Sequence, residues 1–369
     1  MSSSSSNPSI AMKGKESSSV VTNMLCLPDD VLLNCLARVS RLYYPTLSLV
    51  SKRFRSLLAG KELYETRTLL GLIESCLYVS LVFPRSSKSR WFTLCGRPTR
   101  FPNPSSRWFT LCFSPCILTN RTKKSSGNVL VSVPAHNFFS PRHCITATIG
   151  SNVYIMSGGL RNNGMPSSKV FVMDCRSHTW HEAPSLRVAR KYPLVSVLDW
   201  KLYVVEGIKY YDFSTSIEFF DPETRRREHV PSPGAEIRGT YIRKSVAFDG
   251  NLYLYGDKTV VYKPKENKWE ALGDSMPLAE KVWKALKGLE EWCKLPKGCA
   301  RMVNYGGNIV VLWEDFVSSI GSIKTKIWCA EIALERLNGQ GIYGKVNWCY
   351  VVLTVPKSCS IEDVLVTTF

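Results

Sequence analysis

"GSNVYIMSGG", residues 150–159, has two aligned copies further along the chain, "DWKLYVVEGI" (199–208) and "DGNLYLYGDK" (249–258). Tyr154, Tyr203 and Tyr253 are spaced 49 and 50 residues apart, and Gly158, Gly207 and Gly256 keep an interval of 49. A weaker fourth copy is "GGNIVVLWED" (306–315). Each of the first three is followed by a second strand-like segment that ends in a turn: "KVFVMDCRSHTW", "SIEFFDPETRRR" and "TVVYKPKENKW". Asp174 and Asp221 lie 47 residues apart, and Trp180 and Trp269 lie 89 apart, close to two periods.

A period near 50 with about four short strands per unit is the pattern of a propeller blade. A lone four-stranded sheet cannot cover its own faces, whereas blades stacked in a ring cover one another. Val153, Tyr154, Ile155 and Met156 are nearly all apolar, as expected of inner strands buried on both faces. Gly158-Gly159 suits a site of positive φ or close backbone approach.

The chain begins differently. "LPDDVLLNCLARV" reads as a helix start: Pro28 suits the first helical position, and Asp29 and Asp30 sit at the positive end of the dipole. Leu32, Leu36 and Val39 form an apolar stripe. Pro45 breaks the pattern after "RLYY". In "LSLVSKRFRSLL" (47–58), Leu47, Val50, Phe54 and Leu57 fall on one helical face, which predicts a single helix capped by Thr46 and ended by Gly60. Three short helices are expected. Fully burying a Leu, Val or Phe is worth about 1.5–3 kcal/mol, so four left exposed forfeit roughly 6–12 kcal/mol. That is comparable to a domain's whole stability. Some of this surface is expected to meet another protein or the neighbouring domain.

Composition sets the remaining bounds. The 369 residues allow two or three domains, and 44% hydrophobic content is ordinary for a globular chain. No apolar run approaches the roughly 18 residues of a membrane span. The start "MSSSSSNPSIAMKGKESSSV" lacks a secretory h-region and reads as a disordered tail. Thirteen irregularly spaced cysteines, without zinc-site partners, point to reduced thiols inside the cell, in nucleus or cytoplasm, and to no metal or other cofactor. The net charge of +18 is uneven: between Glu74 and Asp174 there is no acidic residue and there are twelve Lys or Arg. Trp91, Phe92, Trp108 and Phe109 interleave with these, as on a single-strand stacking surface. The competing reading is core aromatics beneath a solvated basic surface.

The search for chemistry is nearly empty. There are five histidines, no P-loop or dinucleotide fingerprint and no Gly-x-Ser-x-Gly elbow. His178 and His181 flank Trp180 in a repeat turn and read as turn and strand residues rather than as metal ligands. No catalytic residue is assigned.

The helical start and the repeats together resemble the plant F-box/kelch-repeat proteins. "LPDDVLLNCLARV…LSLVSKRFRSLL" looks like an F-box, and an apolar strand, Gly-Gly, an aromatic-rich strand with Asp-Pro and then Trp look like kelch motifs. The resemblance implies a mostly β fold: a small N-terminal α-helical F-box followed by a kelch-type β-propeller of about five or six blades, at least one incomplete. It implies a Ser-rich disordered tail over 1–22, an F-box over 24–68, a basic linker with possible propeller-closing strands over 69–129, and a propeller over 130–369. It further implies the non-catalytic substrate-recognition subunit of a Skp–cullin–F-box ubiquitin ligase. By position, Leu27, Pro28, Leu32, Leu36, Leu47, Val50 and Phe54 would contact a Skp-type adaptor, and through it a cullin, or form the F-box core. Some kelch propellers are copper oxidases, but too few histidines are present here for such a site.

Target proteins would bind loops such as 160–168 and 206–216, the latter carrying Tyr210, Tyr211 and Phe213. The alternatives are a basic scaffold for nucleic acid or acidic protein, or a degenerate family copy. The sequence also departs from the pattern. Arg227 replaces the expected Trp, and "SRWFTLC" occurs at both 89–95 and 106–112, as if a blade-closing strand had been duplicated. Trp269 and Trp283 are only 14 residues apart, which points to strands lost there. One "RWFTLC" copy is expected to pair with a C-terminal strand and close the ring.

Overall fold

The computed structural model describes residues 27–84, 89–96, 128–133, 144–156, 166–190, 193–206, 217–231, 242–272, 287–289, 299–319, 322–337, 341–355 and 358–368. Helices come first: α1 (Asp29–Ala37), a 3-10 turn (Arg41–Tyr43), α2 (Tyr44–Leu47), α3 (Lys52–Ala59) and α4 (Lys61–Leu69). The stretch 47–58 is therefore not one helix. Ser51, in extended backbone, caps α3 by accepting the Phe54 N–H on its Oγ at 3.1 Å. The expected cap, Thr46, lies inside α2. Gly60 ends α3 and also begins α4. Leu32, Leu36, Tyr44, Phe54, Leu58 and Leu63 fill the core of this unit.

The rest is β. Among the described residues there are five four-stranded antiparallel sheets, the blades. Blade 1 joins β1 (Ser75–Val82), β2 (Ser89–Gly96) and β3 (Asn128–Ser132) to the C-terminal β20 (Ser360–Thr368). Blade 2 comprises β4 (Ile145–Ile149), β5 (Asn152–Met156), β6 (Val170–Asp174) and β7 (Thr179–Ala183). Blade 3 comprises β8 (Pro193–Leu198), β9 (Lys201–Glu206), β10 (Glu218–Asp221) and β11 (Arg226–His229). Blade 4 comprises β12 (Ile242–Phe248), β13 (Asn251–Gly256), β14 (Val260–Lys263) and β15 (Lys268–Ala271). Blade 5 is longer-stranded: β16 (Ala300–Tyr305), β17 (Asn308–Ser319), β18 (Ser322–Leu337) and β19 (Gly341–Val355).

Apolar clusters join blades 5 and 1, 1 and 2, 2 and 3, and 3 and 4. Each described blade has four strands; the interval 273–286, where strand loss was expected, lies outside the described residues.

The C-terminal strand does not pair with an "RWFTLC" copy. It pairs with β1, "SCLYVSLV", from Ser75↔Thr368 to Val82↔Ser360. Leu77, Tyr78, Val79 and Leu81 of β1 are wholly buried, so β1 needs a strand on each edge and a blade on each face. The first copy is β2, one strand further out, and the second lies outside the described residues.

The repeats acquire physical reasons. Asp221 Oδ1 accepts the N–H groups of Glu223 (2.9 Å) and Thr224 (3.3 Å), and Asp174 Oδ1 accepts that of Arg176 (2.9 Å). Each recurring aspartate thus closes the turn between the outer two strands of its blade. Trp269 Nε1 donates to the Pro231 carbonyl at 2.7 Å, tying blade 4 to the chain leaving blade 3. Arg227 does the same one blade earlier, donating from Nε (3.0 Å) and Nη2 (2.7 Å) to the Pro184 carbonyl. Arginine replaces tryptophan at this position by supplying an equivalent donor and lying over the Phe220 ring at 4.8 Å.

The hairpin turn after β12 is Asp249-Gly250, with φ of 48° and 71°, as a type I′ turn requires. The equivalent turn in blade 3 is Asp199-Trp200, with Trp200 at φ 61° and 72% exposed. Left-handed backbone costs a bulky residue about 1–2 kcal/mol. Trp200→Gly is accordingly expected to raise stability by about 1 kcal/mol, read as a higher melting temperature. An unchanged or lower value would show that the indole's packing near Gly150 outweighs the backbone strain.

Candidate functional site

The helical unit has two sides. Leu32 and Leu36 of α1 point into its core, while Pro28 and Val31 point out. Arg53 of α3 bridges to Asp29 at 2.6 Å and donates to the Leu27 carbonyl at 2.5 Å. This ties the start of α3 to the start of α1. Leu49 and Val50, immediately before α3, are 43% and 57% exposed, and Val31 is 42% exposed. Exposed apolar side chains thus stand at the front of α1 and in the α2–α3 turn. Of the residues picked from sequence, Pro28 and Val50 are exposed, Leu27 and Leu47 half-buried, and Leu32, Leu36 and Phe54 fully inside the unit's own core. Val31 and Leu49 were missed because periodicity selects inward-facing positions. Their signal was that they are apolar yet off the stripe.

The other side of the unit is seated on blades 1 and 2. The Arg41 guanidinium lies 5.6 Å from the Tyr64 ring, donates to the Cys175 carbonyl and reaches Tyr78 Oη at 3.5 Å. Its backbone N–H donates to Glu74 Oε2 at 2.8 Å. Tyr64 Oη donates to the Arg176 carbonyl at 3.2 Å. Buried Arg67 holds the carbonyls of Ala37 and Val39 (2.8 and 2.9 Å) and bridges Glu74 at 3.3 Å. Tyr78 Oη also meets Cys175 O (3.0 Å) and His178 Nε2 (2.9 Å).

Burial, and then the positive charge of Arg41, press His178 down to about 3. The unfolded chain therefore binds a proton at His178 below about pH 6.5 that the folded one refuses until about pH 3. Stability from this group falls as pH drops through that window. His178→Asn, which tolerates the φ of 56°, is expected to flatten the loss of melting temperature between pH 7.5 and pH 5. An identical slope in the variant would remove His178 from the seam's acid sensitivity.

The seam also orients the molecule. β1 starts, and the β6–β7 turn lies, on the face that carries the turns after the inner strands β4, β8, β12 and β16. The ends of β5 and β9, which lead into 157–165 and 207–216, lie on the opposite face. Tyr210, Tyr211 and Phe213 are outside the described residues. So are ten of the twelve cations in the acid-free interval, Arg90 and Lys169 being the two described. Trp91 and Phe92 are buried in blade 1 and form no stacking surface. Among the described residues no group of three His, Cys, Asp or Glu could hold a metal, and no helix is long and apolar enough to cross a membrane.

Residues 24–66 match the F-box domain model, and residues 108–278 match the FKB95 kelch-repeats domain model. The Arabidopsis thaliana F-box/kelch-repeat protein At4g11770 is 53% identical, over 94% of this chain and 97% of its own length. The chain belongs to the F-box/kelch-repeat family. A second Arabidopsis thaliana relative, F-box/kelch-repeat protein At4g39550, is 40% identical over 93% of each chain.

Helices α1 to α4 of this F-box/kelch-repeat protein are its F-box, and blades 2 to 4 lie within the kelch match. Blade 5 and three strands of blade 1, β1, β2 and β20, lie beyond that match.

Proposed function

We propose that this F-box/kelch-repeat protein is the substrate-recognition subunit of a Skp–cullin–F-box ubiquitin ligase, acting in the nucleus or cytoplasm. Its F-box would bind a Skp-type adaptor, and through it a cullin, while its propeller holds a target protein. Ubiquitin transfer would belong to the other subunits, so the chain needs no catalytic residue.

One observation carries this reading: Val31, Leu49 and Val50 stand exposed on the F-box, in α1 and just before α3, whose starts Arg53 ties together. Exposed apolar side chains gathered in one place mark a protein contact. Leu27, Pro28 and Leu47 extend the surface, and Leu32, Leu36 and Phe54 support it from within.

The test is co-expression with a Skp-type adaptor followed by size-exclusion chromatography. A stoichiometric complex is expected, and a folded chain that forms none would overturn the assignment.

A further inference from the structure

Residues 184–190 lead from blade 2 toward blade 3 on the face opposite the seam, where β7 ends at Ala183 and β8 starts at Pro193. β6 and β10, the strands that follow 160–168 and 206–216, start on the same face. The crossing is fastened on both sides. The Leu186 N–H donates to the Ser168 carbonyl at 2.8 Å, and Ser167 and Arg190 exchange two backbone bonds of 2.9 Å, which ties it to blade 2. The Arg187 N–H donates to Glu218 Oε2 at 3.2 Å, and Arg187 Nη2 donates to the Arg227 carbonyl, which ties it to blade 3.

Arg187 is thus exposed and yet held, by its backbone and by one guanidinium nitrogen. Among the described residues its guanidinium forms no ion pair. A side chain already fixed in place loses less freedom on binding than a mobile surface arginine does. Val188 next to it is 43% exposed, and Lys169, which follows Ser168, is exposed as well. Arg227 is 7% exposed, and its buried Nη1 makes no hydrogen bond and lies 4.0 Å from Glu218. Burial, opposed only in part by Glu218, holds the Arg227 guanidinium below its usual range. An anion beside Arg187 would ease that buried charge, and the net charge of +18 steers acidic partners toward the chain.

We propose that an acidic segment of the target protein docks across this junction of blades 2 and 3. An Asp or Glu carboxylate is taken by the remaining donors of Arg187, and an apolar neighbour packs on Val188. Lys169 adds a second positive charge at the same end of blade 2. This deepens the substrate-receptor reading and rests on it.

A phage-displayed library of random 12-residue peptides, selected on the full chain, tests the idea. Enriched peptides are expected to carry Asp or Glu beside an apolar residue. The synthetic peptide should bind about tenfold more weakly when that acid becomes its amide, and about tenfold more weakly to Arg187→Gln. The two losses should not add, because both delete one contact. Val188→Asp should also weaken binding about tenfold, and neither variant should shift the melting temperature. Added salt should weaken the wild-type complex more than the Arg187→Gln one. Failure to enrich peptides, enrichment without an acidic residue, fully additive losses, or binding indifferent to Arg187→Gln would each overturn the docking mode. Displacement of the peptide by single-stranded DNA from the wild type but not from Arg187→Gln would overturn it in favour of nucleic acid. Adaptor co-purification reports separately on the receptor reading, so the two can fail independently.

Discussion

Val50→Asp is expected to weaken binding to a Skp-type adaptor by about a hundredfold, with the melting temperature close to that of the wild type. The side chain is more exposed than covered in the free chain, so the charge costs folding little. In a complex it would be buried against an apolar partner without a counter-charge, and a hundredfold corresponds to about 2.7 kcal/mol. Phe54→Ala is the contrasting control. Phe54 is packed inside the F-box, and truncating it removes about 3–5 kcal/mol of stability. Any loss of adaptor binding there should follow loss of fold. Titration by calorimetry alongside thermal melts separates the two cases. If Val50→Asp binds as tightly as wild type, the α2–α3 turn is not part of the contact.

Glu218→Ala is expected to cost about 3–5 kcal/mol, enough to threaten the propeller at physiological temperature. Glu218 is fully buried between blades 2 and 3, with Arg190 Nη2 at 3.2 Å and Arg227 Nη1 at 4.0 Å. Its Oε2 also accepts the backbone N–H of Arg187 at 3.2 Å. Removing the carboxylate takes away the negative charge that Arg190 and Arg227 face in the interior, and deleting one partner of a buried ion pair is what makes such a loss severe. Glu218→Gln keeps an acceptor for Arg187 and should fall between alanine and wild type. Urea titration gives the order directly. A loss below about 1 kcal/mol for alanine would mean that water reaches this cluster.

Both variants turn on features the sequence showed only in part. The 49-residue spacing of the tyrosines reported the blades because each blade is one strand pattern repeated, and local alternation is enough to write it. Arg227 was visible as a break in the tryptophan series, but not that its donors reach the Pro184 carbonyl and its charge faces Glu218, 9 residues away in sequence and on the neighbouring strand. The F-box was legible from its helix spacing. Its outward surface was not, because an apolar residue reads the same whether it turns into its own core, as Leu32 does, or away from it, as Val31 does.

By itself the sequence determined the family, the helical start and the β repeats, since strand period, turn residues and helix periodicity are properties of neighbouring residues. Only the tertiary structure decided which strand completes blade 1 beside β1 and where Arg41 seats the F-box on blades 1 and 2. Those depend on contacts between residues far apart in the chain, whose energies come from burial and charge placement that no local pattern encodes.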